Sequence, residues 1–212
     1  MLKTLNILTI FPAIISEWTK YGIVQQGIKK KLININIYDL REWGKGKHKQ
    51  IDDAPYGGGP GMVMMVEPLD RAINKINSEK NIFMMPSGSE LTEDTAKELI
   101  EHESLTIICG RYEGFDHRIV EMHGDYTISI GKTVVSGGEV PSLFLMESLI
   151  RKIPNILGNS ESLSYETFTE GNIDFPAYTR PEDYKGYKVP EILLSGNHNE
   201  IEEWKKNNLR DI

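Results

Sequence analysis

Three glycine-bearing stretches each follow a short apolar run in this chain: PSG at 86–88 after NIFMM, GRYEG at 110–114 after SLTIIC, and IGKTVVSGGEVP at 130–141 after DYTIS. A fourth, PYGGGPGMVMM at 55–65, sets four glycines and two prolines directly before an apolar run. Glycine gives up more chain entropy on ordering than any other residue. Clusters of it therefore mark turns, bulges, or loops where a ligand must come close to the backbone. One such loop is usually a turn. Three after three successive strands point to a site built from backbone groups, at the strand edge where open α/β sheets bind ligands. The phosphate-loop pattern G-x-x-x-x-G-K-[ST] is absent, and so is G-x-G-x-x-G leading into a helix. There is no H-E-x-x-H or C-x-x-C, and the five histidines are scattered, so no metal with its own cage is expected. Cys109 is open to two readings: a nucleophile, or a small buried hydrophobe at a strand end, and its position favours the second.

The elements that must position these loops alternate. TLNILTIF, INIYDL, NIFMM, SLTIIC and DYTISI read as strands. Between them, PAIISEWTKYGIVQQGIKKK predicts one or two helices with Pro12 early in the first. EPLDRAINKINSEK has Leu69, Ile73 and Ile76 at helical spacing. LTEDTAKELIEH has Thr92 as a cap with acidic residues in its first turn. FDHRIVEMH predicts a short helix and PSLFLMESLIRKI a strongly apolar one. Residues 41–61 read as a long polar loop. This alternation predicts an α/β domain with a mostly parallel sheet flanked by helices over 1–155. Residues 156–176 lose periodicity and read as a flexible linker, and 177–212 as a small helical C-terminal unit.

The 212 residues suit one large domain, or one with a small appendage. No run of about 18 apolar residues occurs, so no membrane span is expected. The apolar N-terminus lacks a small-residue cleavage site and reads as a core strand, which together with the single cysteine implies a cytoplasmic protein. The net charge of −7 argues against nucleic-acid binding, yet 20–49 holds eight basic residues against two acidic ones. A local patch sets the field that a polyanion meets, although a solvated helix end and loop would give the same count.

DDAPYGGGPGMVMM, CGRYEG, SIGKTVVSGGEVPS, RKIPNILG and YTRPEDYKGYKVPEILLSGNH, in that order over nearly the whole chain, resemble bacterial tRNA (guanine-37-N1)-methyltransferases of the SPOUT superfamily. The resemblance implies a C-terminal trefoil knot in the α/β domain, whose loops hold S-adenosylmethionine in a bent shape. It places Phe83, Met84, Met85 and Pro86 at the cofactor, with Ser129, Ile130, Gly131, Thr133, Val135, Gly137, Gly138 and Pro141. Gly110, Arg111, Tyr112, Glu113 and Gly114 form the opposite wall, and Tyr56, Gly57, Gly58 and Gly59 lie near the target base. An aromatic residue is common in the family where Thr133 stands.

The family's reaction needs a base for the guanine N1 proton and a cation for the charge developing on O6. By resemblance the cation is Arg151. The family's base is an aspartate in a D-S-F pattern; the matching stretch here is SYETF, which puts Glu166 in that role, with Asp174 as the rival. The resemblance further implies a homodimer with active sites shared between subunits. It also implies a basic tRNA-binding surface over 20–49, and Mg2+ assistance without a dedicated cage. The C-terminal helical domain, which helps grip tRNA in the family, is shorter here than in many relatives. A binding protein without turnover, and a knotted methyltransferase acting on another RNA base, are the competing readings.

Overall fold

Apolar side chains alternate between two faces on β1 (Thr4–Thr9), β5 (Lys80–Glu90) and β6 (Ser104–Cys109). Leu5, Ile7, Ile82, Met84, Leu105 and Ile107 enter one core; Leu8, Phe83 and Ile108 enter the other. A sheet buried on both faces must be covered on both by helices. The structure, a computed structural model, describes residues 1–157, 172–173 and 175–211. Helices α1 (Pro12–Trp18), α2 (Gly22–Lys29), α4 (Glu93–Leu99) and α6 (Glu139–Ile150) supply the first core. Helices α3 (Val66–Ile76) and α5 (His117–His123) supply the second. As expected, Pro12 starts α1, and the Thr92 hydroxyl caps α4 by accepting from Thr95 N.

With β2 (Asn34–Asp39) and β7 (Tyr126–Ser129), the sheet runs β2-β1-β6-β5-β7, every neighbouring pair parallel. All five carboxyl ends therefore lie along one edge. The central place of β6 follows from its sequence, since five of its six residues are buried. Inside the sheet Asn6 donates to Ser78 Oγ at 2.7 Å and accepts from Asn36 Nδ2 at 2.9 Å, which satisfies a buried amide across two strands.

Two sequence expectations are corrected. The PSG stretch is not a loop leaving a strand. β5 continues through it to Glu90, and Met84 and Ser89 both pair with Ile128, so 85–88 bulge out between two blocks of one ladder. Nor is 41–61 wholly irregular. It begins in a 3-10 turn at Leu40–Trp43, and β3 (Asp52–Asp53) pairs antiparallel with β4 (Val63–Met64).

The chain divides into two units, Met1–Gly158 and Asn159–Ile212. The second contains β8 (Asn172–Ile173) paired with a C-terminal strand, Arg210–Asp211, and a hairpin of β9 (Asp183–Tyr184) and β10 (Tyr187–Lys188). It also has helices α7 (Glu191–Leu194) and α8 (His198–Asn207). The Phe175 and Tyr178 rings stand 6.5 and 6.4 Å from Trp204, and neither helix has a fully buried residue.

Candidate functional site

The carboxyl edge of the sheet opens into a cavity of about 310 Å³, within the range of small-molecule sites. Its floor is Met84 and Ile128, one side is the β5 bulge, and the other sides are the loops after β6 and β7. These two loops are laced together. Gly138 N donates to Gly110 O at 2.7 Å, and Arg111 Nη1 donates to Ser136 O at 3.2 Å. A Cβ on Gly138 would lie 2.6 Å from Gly110 N and 2.8 Å from Cys109 Cα, both backbone atoms that cannot yield. Glycine is required there because two main chains touch.

Of the wall residues drawn from the family resemblance, all but Phe83 and Gly131 line this cavity. Phe83 lies fully buried beneath it, edge-on to Phe115 with ring centroids 5.0 Å apart, and it is Phe115 that reaches the wall. Thr133 lines the cavity with Val134 and Val135, so that wall is aliphatic and small where an aromatic residue is common in the family.

The PYGGGPGMVMM stretch stands beside this cavity because its β4 end is stitched to the loop after β6. Met64 N donates to Gly114 O, Glu113 N to Met62 O and Asp116 N to Met64 O, each at 2.9 Å. The Glu113 side chain lies over Gly61. Gly57, Gly58, Gly59 and Gly61 all have positive φ, between 77° and 122°, which explains the density of glycine. Tyr56 is 99% exposed and lines a neighbouring groove of about 770 Å³ that shares Phe115 with the cavity.

Arg151 follows the last turn of α6, while that helix begins at the cavity with Glu139. Twelve helical residues put about 18 Å between the two ends. One chain therefore does not bring Arg151 to its own cavity. Glu166 and Asp174 lie outside the described residues. Among the described residues no group of three or more His, Cys, Asp or Glu could hold a metal ion.

The sequence reading missed Glu139. Its carboxylate, 1% exposed, accepts from Thr9 Oγ1 at 2.8 Å and Arg111 Nε at 2.7 Å. It thus ties β1, the loop after β6 and α6 together under the cavity. The sequence places it in the glycine-bearing stretch 130–141, ahead of the helix expected from Pro141, whereas α6 begins at Glu139 itself.

A parallel α/β sheet with a glycine-walled cavity at its carboxyl edge has the architecture of α/β proteins that bind ligands at the strand ends. The family model described as "tRNA (Guanine-1)-methyltransferase TrmD" matches residues 3–211. A tRNA (guanine-N(1)-)-methyltransferase of Nitrosospira multiformis is 43% identical, over 94% of this chain and 82% of the relative. Those of Ehrlichia canis and Mycoplasmopsis agalactiae are 42% and 45% identical, over 98% and 95% of this chain and 90% and 89% of the relatives. The chain belongs to the tRNA (guanine-1)-methyltransferase TrmD family, a SPOUT family of S-adenosylmethionine-dependent methyltransferases.

Proposed function

We propose that the protein methylates N1 of guanosine 37, immediately 3′ of the anticodon in tRNA, and that the cavity at the sheet edge holds S-adenosylmethionine. The observation that carries this reading is the contact of Gly138 with Gly110, which leaves a main-chain-walled cavity at the carboxyl edge of a family member's sheet. The cavity suits such a ligand: apolar Met84, Ile128 and Pro141 for an adenine, and main-chain groups at Gly110 and 130–138 for polar edges. S-Adenosylmethionine, when bound, supplies a methyl group already activated on a sulfonium. The protein has to deprotonate N1, stabilise charge on O6 and hold the base in line.

Glu166 is the proposed base, with Asp174 as its rival, and Arg151 the cation for O6. Because Arg151 sits at the far end of α6 from its own cavity, the reading assigns this role to Arg151 of the partner subunit in a homodimer. Exposed apolar pairs at i, i+4 spacing support a dimer: Val140 and Phe144 on α6, at 59% and 57%, and Ile14 and Trp18 on the adjacent α1. The trefoil knot is proposed for the α6 end of the α/β unit, where the strap 130–138 packs on the loop after β6. The C-terminal unit from about 177 and the exposed Lys47 and Lys49 are assigned to tRNA, and the protein to the cytoplasm. No helix among the described residues is long and apolar enough to cross a membrane.

The test is transfer of labelled methyl from S-adenosylmethionine to a tRNA transcript with guanosines at 36 and 37, beside one with adenosine at 37. Label is expected on the first alone, reduced about a hundredfold or more in Glu166→Gln. Full activity in Glu166→Gln with loss in Asp174→Asn would move the base to Asp174. No label with both ligands bound would overturn the enzymatic reading in favour of a binding protein.

A further inference from the structure

Arg111 is the one cation among the described residues that line the cavity. Its guanidinium is held from three sides: Nε donates to buried Glu139, Nη1 donates to Ser136 O, and the group lies 4.5 Å from the centre of the Phe11 ring. Glu139 is held equally firmly, by Arg111 on one oxygen and Thr9 on the other. Thr9 Oγ1 in turn accepts from Phe11 N at 2.9 Å. A Cβ on Gly137 would fall 2.1 Å from Arg111 Nε, so the strap leaves the guanidinium just enough room. Burying a carboxylate is costly, and a pair of this kind is seldom the most stable way to fill such a space. Its charge therefore calls for a further explanation.

The ligand supplies one. This inference rests on the reading that the cavity holds S-adenosylmethionine. A sulfonium is a permanent cation that cannot shed its charge by losing a proton, whereas the thioether product, S-adenosylhomocysteine, is neutral at sulfur. An unopposed guanidinium in the wall would repel the first and be indifferent to the second. We propose that Glu139 is a positioning residue that holds Arg111 in the wall and cancels its charge, so that the cavity accepts a sulfonium. The ion pair then acts on the choice between methyl donor and demethylated product. A purely mechanical brace would not make that distinction.

The experiment is calorimetric binding of S-adenosylmethionine and S-adenosylhomocysteine to the full-length protein and its variants, with circular dichroism as a check on folding. Glu139→Gln is expected to weaken S-adenosylmethionine about tenfold more than S-adenosylhomocysteine, the scale of one uncompensated charge across a cavity of this size. Removing both charges, Arg111→Gln with Glu139→Gln, is expected to return the ratio of the two affinities to that of the wild type. Should Glu139→Gln alone fail to fold, Arg111→Gln tests the same idea in reverse, with the ratio moving toward the sulfonium. Equal weakening of both ligands, or an unchanged ratio in every folded variant, would overturn the proposal and leave a packing role. Wild type that binds neither ligand would overturn the cofactor reading itself, a result distinct from either.

Discussion

Cys109 ends β6 in the core, with its Sγ 3.1 Å from Ser142 Oγ. Burial raises its pKa from 9.0 to about 12, and the nearby Glu139 carboxylate pushes the same way. The thiolate is the reactive form, so at pH 8 the folded protein should react with a disulfide reagent about a thousandfold more slowly than the unfolded chain. Timed thiol labelling with and without urea checks this, and equal rates would contradict it. Because the folded value lies above the unfolded one, the stabilisation from keeping this thiol neutral is full below about pH 9 and is lost as pH rises through about 12. The inert reading of Cys109 was legible in the sequence, as was the Thr92 cap, since both depend on neighbours within a few residues. Glu139 was not. It is one of 31 acidic residues, and its partners Thr9 and Arg111 stand 130 and 28 residues away. Only the fold brings them together.

Elements were legible where apolar spacing or a cap marks them, as in α3, α4 and β6, and illegible where the ladder itself decides. Pro86-Ser87-Gly88 carries every local mark of a loop, yet the chain returns to pair Ser89 and Glu90 with β7. Gly88 permits that return: a Cβ there would lie 2.6 Å from Ile128 N and from Thr127 C, in the main chain of the neighbouring strand. Gly88→Ala should therefore destabilise the protein by about 1–3 kcal/mol, as overpacking does, and weaken cofactor binding by shifting the bulge that walls the cavity. Urea denaturation followed by ligand titration measures both, and a variant indistinguishable from wild type would contradict the role given to the bulge. The short β3–β4 ladder escaped the sequence reading for a similar reason. Its strands are two residues each, and β4 is held by hydrogen bonds to residues 113–116.

For the molecule as a whole, the basic count over 20–49 overstated the free charge. Lys20 pairs with Glu17 at 2.5 Å and Lys45 with Glu67 at 3.8 Å, carboxylates outside the counted stretch, and Lys30 donates to Asn155 O at 2.7 Å. The fold class was legible from the alternation alone, whereas the knot and the homodimer came only from the family resemblance. The dimer has a direct test. Val140→Glu with Phe144→Glu should leave the folded chain at monomer mass in sedimentation velocity, where wild type runs at twice that mass; a wild-type monomer would remove the partner subunit's Arg151 from the mechanism. A different consequence follows from the sheet order. β1 lies between β2 and β6, and Leu5 is in register with Leu105. At about 5–20 residues per second, roughly 4–14 s of synthesis separate the end of β2 at Asp39 from the end of β6 at Cys109. Through that interval the nascent chain carries an unpaired strand edge, with five of the six residues of β1 destined for burial. The long-range register that gathers distant strand ends around one cavity thus leaves each newborn chain with an aggregation-prone edge until its central strand emerges.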